Sequence, residues 1–153
     1  MQQDNVFLAI KGVLVGTATA FSAAFGWVGG LVLCWIGCMV LDFITGTAAA
    51  CAKQQWSSKV ARTGIWHKAG MFLVVVAAAM VDVVLGTILT VSGLGLPINC
   101  TMLLAPMVMI WYIVTELGSV AENAAAMGAP VPGFLLKFLL AAKDKVEDLE
   151  LGE

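Results

Sequence analysis

Charge is what this chain has least of. Eight Lys and Arg and ten Asp and Glu are spread over 153 residues, 12% of the chain, against about 25% in an ordinary soluble domain. So few charges cannot coat a globule whose residues are 61% hydrophobic, which excludes a free-standing soluble fold. With a mean hydropathy of +0.97, the solvent that fits is the bilayer. Histidine is nearly absent too: His67 stands alone, and the four cysteines are Cys34, Cys38, Cys51 and Cys100. Cys34 and Cys38 lie inside an apolar run, where cysteine acts as a small apolar residue. Neither a metal site nor a disulfide framework is expected, and no cofactor. A phosphate-binding glycine loop, a Ser/His or His/Cys pair and paired catalytic carboxylates are all missing, so no enzyme is expected. The basic residues are too few, and too confined to one loop, for nucleic acid.

Long apolar runs fill the space that charge leaves. Residues 6–25 are interrupted only by Lys11, and residues 28–50 only by Asp42. Lys11 lies inside the first run, not ahead of it, so that run reads as mature protein and not as a cleaved signal. Between the two runs stand Gly26, Gly29 and Gly30, a break short enough for a tight turn. A third run covers residues 69–91 and carries Asp82; a fourth covers 100–120, with Pro106 inside it and Glu116 near its end. A helix crosses a bilayer with about 20 residues. The expectation is therefore an all-α membrane protein, with four transmembrane helices arranged as two hairpins. Residues 1–120 form the membrane domain and 121–153 a tail.

Orientation rests on one loop. Residues 52–68 hold Lys53, Lys59, Arg62 and Lys68 and no acid, while the other two connectors hold no Lys or Arg. Positive loops stay inside, so this loop is expected in the cytoplasm, with its Trp56 and Trp66 at headgroup level. Four spans then put both termini there as well. In the tail, Pro130 and Pro132 end the fourth helix. Leu135, Phe138, Leu139, Ala142, Val146 and Leu149 follow at helical spacing, predicting a cytoplasmic amphipathic helix over about 133–149.

Small residues recur every fourth position. The second run places Gly30, Cys34, Cys38, Asp42 and Gly46 on one stripe, the first places Gly12 and Gly16, and the third Ala78, Asp82 and Gly86. Such stripes let helix backbones approach closely in lipid, either within one protomer or between copies. The acids on them are costly. One carboxylate at a span's centre costs roughly 2.5–3.5 kcal/mol, and each Leu, Ile, Val or Phe returns about 0.3–0.6. Nine such residues in the second run and twelve in the third are enough to insert Asp42 and Asp82. Such acids should still face protein or water. Lys11 and Glu116, at similar shallow depths, are candidates for an ion pair. Asp82, deeper and with no basic residue at its level, should be protonated or beside water. Asp42, Asp82 and Glu116 are the candidate pore or cavity lining.

The order Leu41-Asp42-Phe43-Ile44-Thr45-Gly46, then Ser57-Ser58-Lys59, Thr63-Gly64 and His67-Lys68, resembles the bacteriophage lysis and toxin-secretion holin family. Asp82, Glu116 with Glu122-Asn123, and Gly128-Ala129-Pro130-Val131-Pro132 extend the likeness over roughly residues 26–135. The resemblance implies a small multi-span protein of the bacterial inner membrane. Such a protein associates with copies of itself and opens a lesion through which an endolysin, or in some relatives a toxin, leaves the cell. An antiholin is a further partner it implies. Two rival readings stay open: a small cation channel or transporter using Asp82 and Glu116, and a regulatory membrane subunit, such as an antiholin, that makes no hole.

Overall fold

A computed structural model describes residues 2–92 and 102–150, and every regular element among them is an α-helix. These are α1 (Gln2–Ala52), α2 (Ser58–Val91), α3 (Leu104–Ala126) and α4 (Gly133–Glu150). Three of them, α1, α2 and α3, are long and apolar enough to cross a membrane. The count is three, not the expected four, because the first two apolar runs form one helical element. Gly26 interrupts it at a single residue, with φ 61° and ψ −147°, a conformation essentially open to glycine alone. The bend is sharp. A Cβ on Gly29 would stand 3.0 Å from Phe25 Cβ and 3.1 Å from Phe21 O, so a second glycine is needed where the chain folds against itself.

Most of the basic segment is helix and not loop. Only residues 53–57 separate α1 from α2, because α2 begins at Ser58, eleven residues before the expected start at 69. Ser57 is its N-cap, its hydroxyl accepting from Lys59 N at 3.3 Å, the usual device for an orphan first-turn donor. At the other side of this turn, Gln54 N donates to Cys51 O at 3.0 Å and Gln55 N to Ala50 O at 2.9 Å. That is the paired closure of a helix C-terminus whose next residue is left-handed, and Gln54 adopts φ 55° there. The end of α3 closes in the same way through Gly128, at φ 87°. Beyond Ser92, which caps the end of α2, the turn expected at 92–99 and the start of the fourth run at Cys100 lie outside the described residues.

The core sits where α1, α2 and α3 meet. Trp35, Met71, Val75, Ala105 and Met109 form it, with the Trp35 ring stacked between Phe72 and Tyr112 at centroid distances of 6.1 and 6.0 Å. The central helix is α3, which packs against the other three, while α1 and α2 scarcely touch. Helix α4 lies back along α3, with Leu139 buried over Gly118. The outer faces are apolar: Phe7, Leu8, Leu73, Val83 and Ile88 are all exposed. Hydroxyls on those faces are satisfied locally, as where Thr17 and Thr87 donate to the carbonyls of Val13 and Val83 at 2.8 Å. Lipid offers no partner for such groups, so a threonine bonded to its own helix is the form that tolerates it.

Candidate functional site

Three charged side chains meet at one level of the bundle. Asp42 lies ten residues before the end of α1, Lys68 ten after the start of α2, and Glu116 ten before the end of α3. At about 1.5 Å per residue, each stands ~15 Å in from the same end. Lys68 Nζ donates to Asp42 Oδ2 at 2.9 Å and also to Glu116 Oε2. Asn123 completes the network, its Nδ2 donating to Asp42 Oδ1 at 3.1 Å and to Thr45 Oγ1 at 3.3 Å. Local spacing explains the convergence. Asp42, Thr45 and Gly46 fall at i, i+3 and i+4 on one face of α1, and Glu116, Ser119 and Asn123 share a face of α3. Gly46 makes room: a Cβ there would meet Asn123 Nδ2 at 3.4 Å.

The expected ion pair between Lys11 and Glu116 is not formed; Lys11 is exposed on α1 before the bend, and Glu116 takes Lys68 instead. The reach of Lys68 is the feature sequence reasoning missed. In the sequence Lys68 stands with Lys53, Lys59 and Arg62 as a topology signal. Those three are exposed, whereas Lys68 belongs to α2 and its side chain is 18% exposed. Asn123 and Thr45 were missed as well. The signal that finds all of them is equal distance from the helix ends at one side.

Asp82 lies elsewhere, fourteen residues further along α2 than Lys68, or ~21 Å. It is 1% exposed, and its two carboxylate oxygens accept from Leu104 N and Ala105 N, both at 2.8 Å. Asp82 thus caps α3 from the neighbouring helix, at the end where orphan amides and the helix dipole favour a negative charge. Neither a proton nor bulk water is needed to explain its burial. The backbone supplies what no basic side chain does.

The small-residue positions divide. Cys38 is buried, Ala78 packs against the core, Gly86 is half-buried and Gly46 receives Asn123. Gly12, Gly16, Gly30 and Cys34 are exposed, and a Cβ on any of those three glycines would meet nothing within 4 Å. Among the described residues no three His, Cys, Asp or Glu side chains stand together as a metal site. Beside the network, α1, α2 and α3 line a half-open cavity of about 380 Å³, with Asp42, Lys68 and Asn123 at its deep end and Gln55 and Trp56 at the end near the turn.

The chain is similar to an uncharacterized protein of Clostridium perfringens strain 13, 26% identical over 93% of this chain and 96% of that one. An uncharacterized protein of Listeria monocytogenes is 30% identical over 86% of this chain and 84% of its own length. One of Halalkalibacterium halodurans is 37% identical over 61% and 64%. No solved structure matches. The model of the bacteriophage holin family matches residues 19–144, a stretch that holds the whole Asp42–Lys68–Glu116–Asn123 network, the Asp82 cap and most of α4. The protein belongs to the bacteriophage holin family.

Proposed function

We propose that the protein is a holin that oligomerises in the bacterial cytoplasmic membrane and opens a lesion through which an endolysin or toxin leaves the cell. The observation that carries this reading is a polar network enclosed by helices whose outer faces are apolar. A single protomer of this size cannot line a hole wide enough for a folded enzyme, so the lesion needs many copies. Gly12, Gly16, Gly30 and Cys34, exposed on the protomer, are the surfaces through which neighbouring helices approach. Within each closed protomer Lys68 pairs with both Asp42 and Glu116. Assembly turns these groups toward neighbours and then toward water, giving the lesion a wettable wall.

Residues 53–57 and the basic end of α2 face the cytoplasm in this reading, by the positive-inside rule, which places α4 there as well. The tail helix then lies against α3 at the inner leaflet, where it can meet an antiholin or a second copy. Triggering follows the membrane potential, since each unit charge moved through the field feels about 2.3 kcal/mol per 100 mV. The network carries one excess negative charge when all three groups are ionised, and it moves when the helices rearrange.

Induced expression in a bacterium, with and without a co-expressed wall hydrolase, tests the proposal. A holin kills in both cases and lyses promptly only with the hydrolase; lysis timing that ignores an added uncoupler would remove the potential as trigger. A second reading, a small cation channel, draws support from the buried carboxylates beside the cavity. It expects ion flux with no passage of macromolecules.

A further inference from the structure

The cavity beside the network presents acceptors at its deep end, within a mixed lining that also holds Gln55, Ser57, Ser119 and Glu122. Asn123 has spent its amide hydrogens on Asp42 and Thr45, which leaves its carbonyl oxygen to receive. Thr47 gives its hydroxyl hydrogen to Phe43 O at 2.8 Å, so its oxygen also remains an acceptor. Lys68, the cation at the deep end, is already donating to Asp42 and Glu116. Two carboxylates against one ammonium leave an excess of one negative charge, which is costly below the surface of a membrane bundle unless a donor answers it. The space is also the wrong size for a bare ion. About 380 Å³ falls within the range of small-molecule sites, and Trp56 at the turn end offers the ring face on which organic cations rest.

We propose that this cavity binds a small protonated amine, its ammonium directed to Asp42 and the Asn123 carbonyl and its carbon chain running toward Trp56. The amine presents what the walls need: several N–H donors, one positive charge and an apolar stem. Gly46, Ala50, Ala61 and Gly64, all in the lining, keep the channel wide enough for that stem. An anion would meet the carboxylates of Asp42 and Glu122 in the lining. This site is separate from the lesion reading and stands or falls without it.

The test is calorimetric titration of the full chain, held in lipid nanodiscs, with butylammonium chloride. Potassium chloride at matched ionic strength is the control. One saturable site is expected in the wild type. Gly64→Leu is the sharper variant, because a Cβ at Gly64 meets nothing within 4 Å and the side chain fills the cavity while every charge stays in place. Affinity should fall about tenfold or more in that variant and in Asp42→Asn, the equivalent of one good polar contact, with the helical circular dichroism of Gly64→Leu unchanged. Three results would overturn the proposal: no saturable heat, equal heat from potassium, or an affinity that Gly64→Leu leaves untouched. None of these would alter what the protein does to a hydrolase-loaded cell.

Discussion

Replacing Lys68 with glutamine should be the most damaging single polar change in the membrane bundle. The ammonium lies 2.9 Å from Asp42 Oδ2 and also binds Glu116, so its loss leaves two carboxylates facing one another. Removing one partner of a buried ion pair costs roughly 3–5 kcal/mol. Lys68 and Asp42 side chains are 18% and 20% exposed, and water at that edge reduces the figure, so about 3 kcal/mol is expected at neutral pH. The assay is equilibrium unfolding in mixed micelles of increasing SDS fraction, followed by circular dichroism. The triple variant Asp42→Asn, Lys68→Met, Glu116→Gln sharpens it: with all three charges gone, stability should return to within about 1 kcal/mol of the wild type. A Lys68→Gln loss below about 1 kcal/mol, or a triple variant no more stable than Lys68→Gln, would refute the view that Lys68 holds the carboxylates together. If the restored triple variant also fails to lyse cells, the charges serve the lesion and not only the fold.

Asp82→Asn keeps the shape of the α3 cap but has only one acceptor oxygen for two backbone donors, so stability should fall by about 1–3 kcal/mol and lysis timing should shift; unchanged values in both would remove Asp82 from the account. Gln54 sits at φ 55°, where an L side chain costs roughly 1–2 kcal/mol, so Gln54→Gly should stabilise the α1–α2 turn by about 1 kcal/mol in the same SDS titration. Gly26→Val cannot hold φ 61° and ψ −147° without strain of about 1–3 kcal/mol. It should straighten or unravel α1 at the bend, seen as a changed distance between spin labels at residues 14 and 36.

The membrane class was legible because it depends on composition alone: 61% hydrophobic residues have one solvent. The network was legible only in part. Asp42 and Glu116 stood out as acids in apolar runs, but Lys68 was hidden by its neighbours. A segment with Lys59, Arg62 and His67 beside it reads as loop, yet its charges lie on the first turns of a helix that continues to Val91. The Gly26–Gly30 cluster was read as a turn between two spans. One glycine at φ 61° and a second accepting a close approach bend the helix without any connector, and composition does not distinguish the two. Asp82 was unreadable for another reason. Its partners are backbone amides of Leu104 and Ala105, which no residue pattern advertises.

The most direct measurement of the central claim is release of cargo from liposomes by purified protein at rising protein-to-lipid ratio. Each vesicle would hold a small fluorescent dye and a folded protein of hydrolase size. The account predicts that both escape together above a threshold ratio, and that the charge-free triple variant releases neither. Escape of the dye alone at every ratio would contradict it and favour a narrow ion path.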